Sequence, residues 1–143
     1  MLPVVLSIGS DRSWRARWSL AGKFYDVCKA LGEQVANNSL SKLFDSLLRD
    51  TEPEVRTAAA GNVSKVCSLL TKDTIVNLIL PPVNLLVSDT SEHVRAALAG
   101  VVNDLAGVLG KSDTVEYLLP LLLHLLRDDT SDVIFKILLC VIH

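Results

Sequence analysis

Aromatic residues are scarce in this chain: they make up 5% of its 143 residues, although 50% of the residues are hydrophobic. The apolar residues are mainly Leu, Val and Ala. This mix favours helices packed through aliphatic side chains over a sheet built on aromatic and β-branched residues. Because the length suits one domain with a substantial core, we expect a single all-α domain over residues 1–143.

Neither sign of charge is in large excess, because the formal net charge is -2 and the pI is about 5.9. Such a chain has no general attraction for phosphate backbones or anionic lipid, so we expect neither a nucleic-acid nor a membrane partner. The apolar runs at 74–87 and 117–126 are interrupted by Pro, Asn or His. Both are shorter than the ~20 residues of a membrane-spanning helix. The N-terminus lacks the basic region of a secretory signal.

Cysteine pairs are missing as well. The three cysteines are an odd number without a C-x-x-C pair, which predicts a reducing compartment, the cytoplasm or also the nucleus. The histidines have no carboxylate or Cys neighbours in ligand spacing, and no glycine-rich phosphate loop is found. We therefore expect no catalytic residues, no cofactor and no metal site. The cysteines are Cys28, Cys67 and Cys140, and the histidines are His93, His124 and His143.

What the sequence does contain is a repeat of 39 residues. DTEPEVRTAAAGNV begins at residue 50 and DTSEHVRAALAGVV begins 39 residues later. The shared columns include an aspartate at Asp11, Asp50, Asp89 and Asp128, an arginine at Arg17, Arg56 and Arg95, and an alanine–glycine pair at 21–22, 60–61 and 99–100. The arginine column most simply reaches a turn aspartate of a neighbouring repeat, because charge-assisted pairing is the usual fate of an arginine in a packed seam. The small Ala and Gly columns predict the closest helix approaches.

Each period contains two helical patterns. Apolar residues recur at spacings of three and four on both sides of the turn aspartate. Thr51 and Glu54 resemble a capping box, with Pro53 in the first turn, and Gly32 and Gly110 suit left-handed C-caps. The predicted helices are 1–8, 13–31, 38–49, 53–70, 73–88, 92–109, 113–127 and 131–143.

A helix pair this short cannot bury both apolar faces alone, so stacking into a solenoid of about four helical hairpins is expected. The units are 1–32 (partial), 33–71, 72–110 and 111–143 (partial). Because neither end carries a polar capping repeat, we expect a fragment of a longer array, with end-to-end self-association through exposed apolar ends.

A two-helix unit with Asp at the turn and Val-Arg five and six residues later resembles the HEAT repeat. The strict period, the SWRAR block at 13–17 and the LGKSDTVEYLLPL block at 109–121 are similar to the middle repeats of the scaffolding A subunits of protein phosphatase 2A. This resemblance implies an α-α superhelix without catalysis of its own. It also implies that a ridge of intra-repeat turns docks a regulatory B-type subunit and the catalytic subunit.

The resemblance places Ser13, Trp14 and Arg15 at a regulatory-subunit contact. From the residues alone, Arg12, Trp14 and Arg15 are anomalous, because the later copies carry no Trp or Arg at these positions. Trp and Arg are enriched among interface hot spots, whereas the alternative is a Trp that merely covers the turn. Candidate partner-binding residues of the later turns are Glu52, Glu54, Glu92 and His93, whose acidic run is alternatively only a solvated face.

Two other function classes remain open. A HEAT-like DNA glycosylase would hold duplex DNA with the Arg and Trp cluster, but such a surface should be broadly basic and three of the four turns are acidic. A karyopherin-type transport receptor is also built from HEAT pairs, although with less uniform repeat lengths.

Overall fold

The computed structural model describes residues 1–134 and residue 136, and this part of the chain is helical, with short turns and no strand. The prediction of an all-α helical repeat is confirmed. Residues 131–134 and Lys136 are also helical, and the remainder of the predicted helix 131–143, with Cys140 and His143, lies outside the described residues. The helices are Leu2–Gly9, Trp14–Gly22, Phe24–Leu31, 33–48, Pro53–Gly61, Val63–Cys67, 72–86, Glu92–Leu109 and 111–126.

The helices alternate between two roles, which we call the first and second helix of units 1 to 4. The first helices follow the inter-unit turns, and the second helices follow the turn aspartates. Second helices of neighbouring units pack side by side: Pro53–Gly61 contacts both Trp14–Gly22 and Glu92–Leu109. Because each helix pair lies against the next one, the apolar faces merge into one core.

The alanine column lies inside this core. Ala21, Ala60 and Ala99 are all fully buried. Their small side chains allow the second helices of neighbouring units to pack closely, as the register predicts. Two fully buried aromatic residues of the core, Phe24 and Phe44, have ring centroids 5.0 Å apart.

The neighbouring glycine column does not mark close helix packing, so this prediction is wrong. A Cβ atom added to Gly22 or Gly61 would meet nothing within 4 Å. The close approach is made instead by Gly9 of unit 1, where a Cβ atom would collide with the side chain of Leu43.

The second helices of units 1 and 2 are interrupted directly after this column, at Lys23 and Asn62. The Asn62 amide donates hydrogen bonds to the Ala58 carbonyl at 3.1 Å and, across the unit boundary, to the Ala21 carbonyl at 3.0 Å. Val101 takes this position in unit 3, where the helix runs unbroken. The predicted helices 13–31 and 53–70 are therefore each two segments, and the second pair ends at Cys67.

Two predicted helix boundaries also need correction. The first helix of unit 2 begins at Glu33, not at residue 38, and that of unit 4 begins at Lys111. Gly32 and Gly110 have positive φ values of 94° and 85°, as predicted. Their ψ values of 163° and 170° are extended, so they are not left-handed helical caps. This glycine-favoured conformation separates the two helices by one residue and lets the next helix begin directly after it.

The capping box predicted at Thr51 and Glu54 is absent. Glu52 is the N-cap residue, and its side chain makes no capping hydrogen bond. The Asp50 carboxylate accepts the Glu52 N–H instead, at 3.0 Å. Pro53 lies in the first helical turn as predicted, where its missing N–H has no cost.

A feature that the repeat pattern did not predict is a π turn in three successive first helices. These turns are Ala36–Leu40, Ile75–Ile79 and Thr114–Leu118, again 39 residues apart. Pro81 and Pro120 follow two of them, where a widened turn accommodates a residue that cannot donate an N–H. In unit 2 the buried Ser41 donates its hydroxyl to the Asn37 carbonyl at 2.9 Å.

Candidate functional site

The intra-unit turns are aligned by a ladder of arginine–aspartate pairs. Arg17 donates from Nε to Asp50 Oδ2 at 2.7 Å and from a terminal nitrogen to Asp50 Oδ1 at 3.1 Å. Its other terminal nitrogen donates to the Asp11 carbonyl, in its own turn, at 2.6 Å. One guanidinium therefore joins two consecutive turns. The same arrangement recurs at Arg56 with Asp89 and the Asp50 carbonyl, and at Arg95 with Asp128 and the Asp89 carbonyl.

Each turn aspartate also folds its own turn. Its Oδ1 atom accepts the backbone N–H two residues later. In Asp50, Asp89 and Asp128 the arginine of the preceding unit bonds to both carboxylate oxygens, so Oδ1 is shared between the two donors. The pairs are Asp11 with Ser13 at 2.8 Å, Asp50 with Glu52 at 3.0 Å, Asp89 with Ser91 at 2.9 Å and Asp128 with Thr130 at 2.9 Å. The four aspartates therefore lie in equivalent turns that form one ridge.

The titration behaviour of these groups agrees with the ladder geometry. Burial by itself raises the pKa of Asp50, but hydrogen bonds from Arg17 and the Glu52 N–H outweigh it and hold the pKa below its ordinary value. The pKa of Asp128 is likewise lowered: its burial is outweighed by hydrogen bonds from the Thr130 N–H and Arg95. The hydrogen bond to Asp50 raises the pKa of Arg17. These hydrogen bonds thus favour the charged forms of Arg17, Asp50 and Asp128 in the folded state.

The first turn of the ridge carries the arginine and tryptophan cluster. Arg17 belongs to the ladder, whereas Arg12 is exposed and makes no hydrogen bond or ion pair with the part of the chain that the structure describes. Trp14 is half-buried at the start of its helix, and the Arg15 guanidinium lies over its ring at 4.6 Å from the centroid. Trp14 and Arg15 therefore form a stacked pair on the ridge that the ladder does not use.

A cleft lies beside this pair. Trp14, Arg15 and Trp18 of unit 1 line it together with Glu54 of unit 2, and its volume is about 290 Å³. Trp18 was not among the predicted site residues. The signal for it was present, since Trp18 follows Trp14 by four residues and therefore lies on the same helix face.

A second cleft continues along the second helices. Its lining comes from three units, and its volume is about 360 Å³. Trp18 and Glu54 line both clefts. The residues of the second cleft are Trp18, Pro53, Glu54, Thr57, Ala58, Ser91 and His93.

The other predicted contact residues are spread along the ridge. The structure brings Glu54 and His93 to the clefts, but Glu52 and Glu92 line neither of them. Glu92 is exposed in the first turn of its helix, and Glu52 is half-buried. The ridge thus changes from basic at unit 1 to acidic at the later units.

The described residues contain no group of three His, Cys, Asp or Glu side chains positioned to hold a metal ion. In the same part of the chain, no helix combines the length and the apolar character that a membrane span requires. Cys28 and Cys67 are buried, and desolvation raises the pKa of Cys28 to about 11 and that of Cys67 to about 12. Both thiols are therefore protonated core side chains.

Comparison with known proteins agrees with this architecture. A search of curated proteins gave no match. A family model described as PPP2R1A-like HEAT repeat matches residues 33–110, which is more than half of the chain. That range covers units 2 and 3, with two of the turn aspartates and their ladder arginines. The chain therefore belongs to the PPP2R1A-like HEAT repeat family.

Proposed function

We propose that the chain serves as a noncatalytic scaffold of a protein phosphatase 2A type serine/threonine phosphatase and docks a regulatory B-type subunit on its ridge of turns. HEAT-repeat proteins generally mediate protein–protein interactions, and their solenoids are typically noncatalytic. The specific assignment to the phosphatase rests on the resemblance of the SWRAR and LGKSDTVEYLLPL blocks to scaffolding A subunits.

The observation that carries the proposal is the division of the first turn. Arg17 is held by the ladder, but the half-buried Trp14 and the exposed Arg15 form a stacked pair that the ladder does not use. A tryptophan with a guanidinium on its face offers a partner a large contact area and directional donors. The pair stands on a helix end whose position is fixed by Arg17, so little conformational freedom is lost on binding.

Binding of the full chain to a purified B-type regulatory subunit tests this proposal. Trp14→Ala should weaken the affinity by at least about 1–2 kcal/mol if the residue is a hot spot. Val108→Ala is a matched control, because Val108 is also a partly exposed apolar residue but lies near the far end of its helix. Equal affinities of the two variants would remove Trp14 from the interface.

Docking of the catalytic subunit is the second part of the scaffold proposal, and pull-down of that subunit by the same chain tests it.

DNA binding is disfavoured by the exposed acidic side chains of the later turns, Glu54 and Glu92. A DNA mobility-shift assay at low salt distinguishes this alternative, and binding to transport cargo would support a karyopherin-type receptor instead.

A further inference from the structure

Trp18 is more exposed than its position in the repeat requires. Half of its surface is accessible, at 50%, whereas the equivalent residue of unit 3, Ala96, is 4% exposed. The equivalent residue of unit 2 is the smaller Thr57. The repeat therefore packs without a large aromatic side chain at this position, and stability alone does not explain Trp18.

Trp18 lines the second cleft described above, which we call the recess. One wall is the indole ring, and the other walls come from the second helices of units 2 and 3, with Pro53, Ala58 and His93 among them. The first cleft, next to Trp14, adjoins this recess and is also lined by the Trp18 ring. The two volumes, about 360 and 290 Å³, are sufficient for individual side chains of a bound protein segment.

Glu54 supplies the charge of this surface. Its side chain is exposed, lines both the recess and the first cleft, and makes no ion pair with any residue that the structure describes. Arg15, which lines the smaller cleft together with Glu54, is stacked on Trp14. A free carboxylate next to an exposed indole face attracts a cation by two routes, since a carboxylate pairs with it and the π face favours it.

We infer that the recess between Trp18 and Glu54 is a docking site for a partner-protein segment that presents an apolar side chain next to an arginine or lysine. The apolar side chain packs on Trp18, Pro53 and Ala58. The cationic group pairs with Glu54 beside the face of the indole ring. This inference rests on the proposed function, because it identifies the chemistry by which the regulatory subunit is recognised, and it extends the docking surface from the turns onto the second helices.

The test compares four variants of the full chain in binding to a purified B-type regulatory subunit. Trp18→Ala should weaken binding at least tenfold, because a half-exposed tryptophan in a recess has the character of a hot spot. Glu54→Gln should weaken binding severalfold, mainly through a slower association rate, and should reduce the dependence of affinity on salt. The controls are Leu85→Ala, an exposed apolar residue on a first helix, and Asp104→Asn, which changes the net charge equally. Both should bind within about twofold of the parent chain.

The outcomes separate the two proposals. If the parent chain binds the regulatory subunit and both recess variants bind as tightly as the controls, the docking site is refuted while the scaffold function stands. Tighter binding by Glu54→Gln would also refute it, because the partner group at that place would then be acidic. Failure of the parent chain to bind any B-type subunit would overturn the scaffold function, and the inference with it.

Discussion

The ladder predicts that two aspartates of the chain contribute unequally to the free energy of unfolding. Asp89 accepts two hydrogen bonds from Arg56, at 2.8 and 3.0 Å, and the side chains of the pair are only 15% and 10% exposed. Asp45 accepts one from Arg49 at 2.9 Å, and that pair is 47% and 29% exposed on one helix face. Asp89→Asn and Asp45→Asn remove the same charge in these two environments.

The magnitudes follow from burial and geometry. Asn at position 89 can still accept the Ser91 N–H, but its amide group would face the Arg56 Nε donor, which leaves a largely buried guanidinium without its counter-charge. Breaking a buried ion pair by removing one partner costs about 3–5 kcal/mol, and one charged hydrogen bond contributes about 1.5–3 kcal/mol. With the Asp50 carbonyl still bound to Arg56, we expect a loss of about 2–3 kcal/mol in the free energy of unfolding. Asp45→Asn should cost less than about 0.5 kcal/mol.

Urea unfolding followed by circular dichroism measures both values. Asp89→Ala is the third member of the series, because it also removes the acceptor of the Ser91 N–H and should cost about 1 kcal/mol more than Asp89→Asn. If Asp89→Asn and Asp45→Asn destabilise the chain equally, the ladder contributes no more than a surface ion pair. The turns would then be held in line by apolar packing alone.

Two further predictions follow from the titrating groups. The folded-state pKa values of Asp50 and Asp128 lie below the ordinary value of 3.8, so their ionised forms stabilise the fold above that pH, and this contribution is lost as the pH falls through 3.8 toward the folded-state values. The urea concentration at the unfolding midpoint should therefore decrease as the pH is lowered from about 5 to about 3. An equally large decrease in the Asp50→Asn variant would contradict this assignment. At pH 8 the folded chain should not react with iodoacetamide at Cys28 or Cys67, and both should react in urea; rapid modification of either folded thiol, detected by peptide mass spectrometry, would show that it is not sealed in the core.

The periodic part of the architecture is readable from the sequence because side chains of one kind recur at a fixed interval. An aspartate followed six residues later by an arginine recurs every 39 residues in the first three units. The aspartate marks the turn of its own unit, and the arginine pairs with the turn aspartate of the next unit. Arg56 must reach forward to Asp89, because its own turn aspartate already accepts the Glu52 N–H and the bond from Arg17. The alanine column was predictable for a similar reason, since only a small side chain fits between adjacent second helices.

Local backbone geometry was less readable. The capping box at Thr51 failed because Asp50 already accepts the N–H of Glu52, so no side-chain cap formed there. In two units a Leu-Pro pair inside a helical pattern accompanies the π turn. Unit 2 lacks this pair, and there the Ser41 hydroxyl donates to backbone carbonyls, an interaction that the sequence does not reveal. Gly22 and Gly61, after the alanine column, are exposed, and a Cβ atom at either position would meet open space.

The site was only partly predictable because it is shared between units. Trp14 and Arg15 are visible as an anomaly in one copy, but the recess of Trp18 exists only where Pro53 and Glu54 of the next unit lie beside it. The spacing of these parts depends on Arg17, which bonds to the Asp11 carbonyl in the turn of the tryptophans and to the Asp50 carboxylate in the turn that precedes Glu54. A single guanidinium therefore joins the two halves of the recess, in addition to the packing of the two second helices. The ladder that stabilises the repeat stack thereby also preorganises the docking surface, and a substitution at Arg17 should weaken partner binding even though Arg17 itself need not touch the partner.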